Sequence, residues 1–167
     1  MLPSRTLLFL ALAGASGATF AASAEDTPPA PAVFVQKAAQ DGMAEVELGK
    51  IALDKSQNAQ IRAFAQRMVT DHGKANQELA SLARAKGIDA PKNLDAEHQA
   101  MLSKFKSESG AAFDTEYSHH MNMDHTKAIS LFEAASKSSD AELAGFAKKT
   151  LPTLKEHKEL AEKLPGQ

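Results

Sequence analysis

The chain has 167 residues, a formal net charge of −2 and no cysteine. The absence of cysteine excludes disulfides and thiolate metal sites. The near balance of charges gives no electrostatic basis for binding nucleic acid or an anionic membrane surface, so we expect no nucleic-acid partner. A chain of this length is sufficient for one domain with a sizeable hydrophobic core.

The first 24 residues have the features of a secretory signal peptide. Arg5 is their only charged residue, an apolar run follows at 7–13, and small residues lead to Ala22-Ser23-Ala24. This apolar run is too short to span a bilayer, which requires about 20 residues. We therefore expect cleavage near Ala24 and a mature protein without a membrane span, located in the periplasm or outside the cell.

The rest of the chain is predicted to be almost entirely helical. Residues 25–32 contain three prolines and are expected to form a disordered Pro/Ala-rich leader. From residue 33 the chain is rich in Ala, Lys, Glu and Leu, a composition typical of helices. We expect Pro152 to kink the last helix, because proline removes a backbone donor. The predicted helices are 33–55, 59–86, 95–106, 111–136 and 141–163, the last followed by a short tail at 164–167.

The order of these helices indicates a crossover connection. Segments 59–69 and 141–151 share the pattern A-x-[IL]-x-[AG]-F-A-[QK]-[RK], so the chain resembles two similar helical hairpins. The link at 87–110 is longer than a simple up-down bundle needs, whereas ferritin-like bundles contain one long crossover. The predicted fold is therefore an all-α, ferritin-like four-helix bundle, occupying 33–163, whose crossover contains a short extra helix.

Four polar residues lie on helix faces that are expected to be buried: Glu45, His72, His125 and His157. Glu45, for example, follows Phe34 by eleven positions, which is three helical turns, and so shares its face. Counted from the two hairpin turns, the four residues fall within about 9 Å of one another along the bundle axis. Three imidazoles and one carboxylate in a bundle core suit one transition-metal ion, Zn, Cu or Fe.

The same cluster also permits a purely structural interpretation. A buried His and Glu can hydrogen-bond to each other and make a core specific without binding anything. The strings MVTDHGKA and MNMDHTKA place Asp71 and Asp124 directly before two of the histidines. Adjacent residues differ by about 100° around a helix, so we expect these aspartates to face solvent or a neighbouring helix rather than the same metal. His119 and His120 are expected at the surface or the edge of the bundle.

No catalytic motif is present in the sequence. It contains no G-x-S-x-G, P-loop, H-E-x-x-H or Gly-rich nucleotide turn. Whether the protein is an enzyme is left open, and a non-catalytic role is favoured.

Five stretches of the sequence resemble one known family. They are FVQKAAQDGMAEVELGKIALDKS, IRAFAQRMVTDHGKANQELASLA, LDAEHQAMLSKF, GAAFDTEY and FAKKTLPTLKEHKELA. The chain is similar to the domain of unknown function 4142 family, exported bacterial proteins that are often labelled outer membrane proteins. This resemblance implies a ferritin-like bundle and export, and it implies no particular activity.

The chain departs from ferritin-like di-iron enzymes, which carry Glu-x-x-His on two helices. Val69 and Leu154 occupy the positions three residues before His72 and His157. Di-iron chemistry is therefore disfavoured. The first functional hypothesis is a periplasmic protein that binds one transition metal in the bundle core, for metal handling or envelope stress. The alternative is a non-catalytic helical interaction module with an unidentified protein partner, in which the His/Glu cluster is only structural.

Overall fold

The computed structural model describes residues 27–166, and within this range it contains helices and no strand. The all-α fold predicted from the sequence is confirmed. The predicted signal peptide lies outside the described residues. Among those described, no helix is both long and apolar enough to cross a bilayer. The five helices are α1 (Pro31–Lys55), α2 (Ala59–Ala85), α3 (Ala96–Ser107), α4 (Gly110–Ala135) and α5 (Ala141–Ala161).

Local sequence signals set the helix ends. Asn58, Asp95 and Asp140 precede α2, α3 and α5, and their side chains accept hydrogen bonds from backbone N–H groups of the first turn. These bonds satisfy donors that have no partner within the helix. After α2, Gly87 adopts a φ of 65°, a left-handed conformation that ends helices and favours glycine. Helix α1 begins with Pro31, which lies within the predicted leader, because proline fits the first helical position.

Two hydrophobic clusters show how the hairpins are arranged. The first cluster joins the end of α1 and the start of α2 to the start of α4 and the end of α5. The second cluster joins the opposite ends of the same four helices. The two hairpin turns therefore lie at opposite ends of the bundle, and the link between α2 and α4 must carry the chain along its length. Members include Leu48, Ile61, Phe64, Met68, Phe113, Tyr117 and Met121 in the first cluster, and Phe34, Leu79, Phe132, Phe146 and Leu154 in the second.

The crossover runs alongside α1. Gln40 donates to the Asn93 carbonyl at 3.0 Å, and its side-chain oxygen accepts from the Asp95 backbone N–H, also at 3.0 Å. Further along, Lys55 Nζ donates to the Glu108 carbonyl at 2.8 Å. These bonds hold both ends of the α3 segment against α1. As a result, α3 covers one side of the bundle near mid-height.

Candidate metal centre

Three histidines from three helices converge between the two hydrophobic clusters. His72 lies on α2, His125 on α4 and His157 on α5, and all three are buried. Their ring centroids are separated by 5.3–5.6 Å. One ring nitrogen from each lies within 4.8 Å of the other two. Nitrogens bound tetrahedrally to one Zn²⁺ lie about 3.4 Å apart, so modest side-chain shifts bring the three rings onto a common ion.

The backbone of α4 fixes the tautomer of His125. Its Nδ1 lies 2.8 Å from the carbonyl oxygen of Met121, one turn earlier. Because a carbonyl only accepts, Nδ1 carries the proton and Nε2 keeps its lone pair. Nε2 is buried and has no protein hydrogen-bond partner. His125 therefore offers a free donor atom for a metal.

Asp71 orients His157 in the same way from the neighbouring helix. His157 Nε2 lies 3.1 Å from the Asp71 carboxylate, while its Nδ1 is buried without a protein partner. A carboxylate that accepts from one nitrogen leaves the other free to bind, an arrangement common around metal-bound histidines. Asp71 faces an adjacent helix, but its hydrogen bond to His157 was not predicted, because the sequence does not show which helix lies beside it.

Burial keeps all three imidazoles neutral in the absence of a metal. It lowers the pKa of His125. It also lowers the pKa of His157 to about 4, although the hydrogen bond to Asp71 acts in the opposite direction. Burial, together with the two neighbouring histidines, holds the pKa of His72 well below its ordinary value. His72 Nε2 also has no protein partner. Neutral imidazole is the form that binds metal ions.

Glu45, the fourth predicted ligand, lies beside His125 rather than among the three nitrogens. Its Oε1 is 3.8 Å from His125 Nδ1, and its buried Oε2 has no hydrogen-bond partner. Burial, with a contribution from Asp124, raises the pKa of Glu45 to about 8. The site thus brings three predicted ligands together and places one neutral, buried carboxyl group next to them.

Phe64 closes the first-cluster side of the histidine group. Its ring centroid lies 6.1 Å from that of His125 and 6.4 Å from that of His157. The histidines are reached from two other sides. A cavity of 530 Å³ is lined by Glu45 and His72, and a second of 360 Å³ is lined by His72 and His157. We call these the acidic cavity and the paired cavity, for the charges described next.

The two cavities differ in how their charges are matched. In the paired cavity, Arg67 lies 2.9 Å from Glu156 and Lys149 lies 2.8 Å from Glu78, so two of its three carboxylates are closely paired; the third, Asp71, lies 3.8 Å from Arg67. By contrast, the acidic cavity is lined by several carboxyl groups and histidines. The titratable residues of its lining are Asp41, Glu45, His72, Asp95, Glu97, His98, His120 and Asp124, together with Lys37 and Lys127.

His120 lies at an edge of the bundle, as expected, but a neighbouring helix packs against it. It is half-buried in the wall of the acidic cavity, with its ring centroid 5.2 Å from that of Phe105 on α3. Its Nε2 lies 2.8 Å from an Asp124 carboxylate oxygen. His119, the next residue on the helix, is exposed as expected. The crossover helix covers His120, and its path cannot be inferred from the local pattern of α4.

The comparisons with known proteins agree with this architecture. In a crystal structure of a DUF305 fragment from Deinococcus radiodurans, the fold matches with a TM-score of 0.71 at 15% identity, covering 81% of this chain and 95% of that one. At that identity the likeness shows the fold alone. Among curated proteins, none matches the sequence. The sequence model of the domain of unknown function DUF4142 matches residues 16–164, and the chain therefore belongs to that family.

Proposed function

We propose that this chain is an exported periplasmic protein that binds one first-row transition-metal ion through His72, His125 and His157, for metal handling or envelope stress. Two observations carry the proposal: the three buried histidines bring ring nitrogens within 4.8 Å of one another, and each histidine has one buried ring nitrogen without a protein partner. Each buried polar atom without a partner costs about 1–3 kcal/mol. A single bound cation would satisfy all three.

The geometry favours this function over a purely structural network. In such a network the polar groups would hydrogen-bond to one another. Within residues 27–166 no hydrogen bond joins the three rings, and Glu45 Oε1 lies 3.8 Å from the nearest ring nitrogen of His125. The bonds that are present, from His125 to a carbonyl and from His157 to Asp71, leave the opposite nitrogens free. That pattern orients ligands.

The donor set indicates the class of metal. Three imidazoles suit Zn, Cu or Fe, whereas Mg and Ca prefer oxygen ligands. A dication held only by neutral imidazoles keeps its full charge in the core. Glu45 lines the same cavity as His72, and loss of its proton on metal binding would supply a negative charge beside the histidines.

The proposal is tested by elemental analysis of the protein purified from the periplasm without a histidine tag. We expect about one metal ion per chain, since one three-nitrogen site binds one ion. His157→Ala and the triple variant His72→Ala/His125→Ala/His157→Ala should contain none. His119→Ala removes an exposed histidine from α4 and is the matched control, which should retain the metal.

Unfolding experiments complete the test and do not depend on metal surviving purification. A metal added at 100 times its Kd should raise the free energy of unfolding by about 2.7 kcal/mol in the parent protein and not in His157→Ala. Circular dichroism establishes that the variants are folded. A folded parent protein that contains no metal and is not stabilised by Zn, Cu or Fe would contradict the proposal and favour the interaction module.

A further inference from the structure

The acidic cavity leads from the surface to the histidine group. Residues of all five helices line it, and Glu45 and His72 are among them. The side chain of Asp41 is 50% exposed, that of Asp124 is 27% exposed and that of Glu45 is 6% exposed. These acidic groups therefore form a series from solvent to the core.

Helical spacing places these groups along the walls of the cavity. Asp41 and Glu45 are four residues apart and share one face of α1, and His120 and Asp124 share one face of α4 in the same way. The nearest cation to Asp124 is Lys127, whose Nζ lies 3.6 Å away on a side chain that is 75% exposed. Lys37 also lines the cavity and interacts with Asp41, so two lysines lie among a larger number of carboxyl groups.

His98 lies on α3 in the cavity wall and, unlike His157, has a carboxylate beside each of its ring nitrogens. Its Nδ1 lies 2.7 Å from Asp95, so Nδ1 donates to this carboxylate, and its Nε2 lies 3.3 Å from Asp41 Oδ1. A neutral His98 would therefore direct a lone pair at a carboxylate oxygen. A positive charge is needed there, and either a proton or a metal ion on Nε2 supplies it.

Glu45 provides independent support for a ligand in this cavity. Its side chain is only 6% exposed, it lines the cavity, and its Oε2 has no hydrogen-bond partner. A buried polar atom without a partner is costly, and a cation entering the cavity would satisfy it. Because Glu45 lies between the aspartates and His125, it is placed to contact a cation moving inward.

We propose that two pairs on facing walls of the acidic cavity, Asp41 with His98 and His120 with Asp124, loosely hold, as an outer site, a divalent first-row cation, which then passes Glu45 to reach the three histidines. The destination rests on the proposed function, while the outer site rests on the acidic cavity alone. Carboxylate and imidazole together bind such cations. The paired cavity is a poorer entrance, because Arg67 and Lys149 are closely paired with two of its three carboxylates.

Cobalt(II) binding to the full chain tests this proposal. Calorimetry gives the number and strength of the binding events, and stopped-flow absorbance of histidine-bound Co²⁺ gives the rate of uptake. The test variant is Asp41→Asn/Asp124→Asn, which keeps the side-chain shapes. The matched control is Glu78→Gln/Glu133→Gln, which removes two negative charges from exposed partners of lysines outside the acidic cavity.

We expect two events in the parent protein, one tight at the histidines and one weak at the outer site. The Asp41/Asp124 variant should lose the weak event and take up Co²⁺ about 10-fold more slowly at low ionic strength, with an unchanged tight Kd. The control should keep both events and the parent rate. His98→Gln/His120→Gln should also lose the weak event, which separates ligation from loss of charge.

Each proposal can fail separately. Retention of the weak event at parent strength in both cavity variants would overturn the outer site, as would equal uptake rates in Asp41→Asn/Asp124→Asn and the control. A weak event that is lost in the cavity variants, in a protein with no tight event, would support the outer site and contradict the proposed function.

Discussion

The pattern M-x-x-D-H-x-K-A occurs on both α2 and α4, yet its two aspartates have different partners. In each copy an aspartate directly precedes one of the three clustered histidines. Asp71 reaches across to α5 and accepts from His157 at 3.1 Å. Asp124 lies 2.8 Å from His120 on its own helix, in the wall of the acidic cavity. The period of the α-helix determines that the histidine of each string is buried. Tertiary packing determines what the adjacent aspartate contacts.

The methionine at the start of each string should behave alike in the two copies. Met68 and Met121 are both buried in the first cluster, four residues before a histidine. Methionine to alanine in a core costs about 2–5 kcal/mol through lost burial and the cavity left behind. We expect Met68→Ala and Met121→Ala each to lower the free energy of unfolding by this amount in urea denaturation. Met123→Ala removes an exposed side chain and should change it by less than about 0.5 kcal/mol.

The second prediction concerns the pH dependence of the metal-free protein. The folded pKa of His157 is about 4, below its ordinary value of 6.5. The unfolded chain therefore binds more protons below pH 6.5, and stability falls as pH drops from there towards 4. Between pH 7 and 5 this effect costs about 2 kcal/mol for one histidine. His72 and His125 act in the same direction, because burial lowers the pKa of both.

Glu45 acts in the opposite direction. Its folded pKa of about 8 exceeds its ordinary 4.5, so between these values the folded state holds a proton that the unfolded state lacks. Stability from this group is present below pH 4.5 and is lost as pH rises through 8. As the pH falls from 7 to 5, the proton bound by folded Glu45 therefore partly compensates for the stability lost through the histidines, and Glu45→Gln removes this compensation. In urea denaturation with a chelator, the variant should lose more stability between pH 7 and 5 than the parent protein. Equal losses would show that Glu45 is ionised in the fold.

The fold was largely predictable because its determinants are local. Asn58, Asp95 and Asp140 cap helices through bonds to residues two or three positions away. The crossover followed from the length of one link. The convergence of the histidines could be predicted because the rise and period of an α-helix are constant. The number of residues between two positions therefore gives their separation along the helix axis and shows whether they share a face.

What sequence could not supply is the rotation of one helix against another. Glu45 shares a face with buried residues of α1, but its offset from the three nitrogens depends on how α1 packs against α4. The acidic cavity requires α3, whose position is fixed by distant bonds such as that between Gln40 and Asn93. The partner of Asp71 is likewise set by tertiary packing, and the string that contains it recurs on α4 with another partner.

The two aspartates themselves provide the sharpest test of the comparison. Asp71→Asn weakens the bond that orients His157, and loss of such a partner typically reduces metal affinity 10- to 100-fold. Asp124→Asn changes the equivalent residue of the other string. The Asp124 carboxylate lies beside His120 and not beside a ring of the three clustered histidines. We therefore expect Asp71→Asn to raise the equilibrium Kd for Zn²⁺ in a chelator competition assay, and Asp124→Asn to leave it within about 3-fold, since a group outside the inner ligands affects entry more than retention. Equal losses of affinity would mean that both aspartates act on the centre through general electrostatics. An effect of Asp71→Asn alone would show that one carboxylate orients a ligand while its counterpart does not, although the two share the same local sequence pattern.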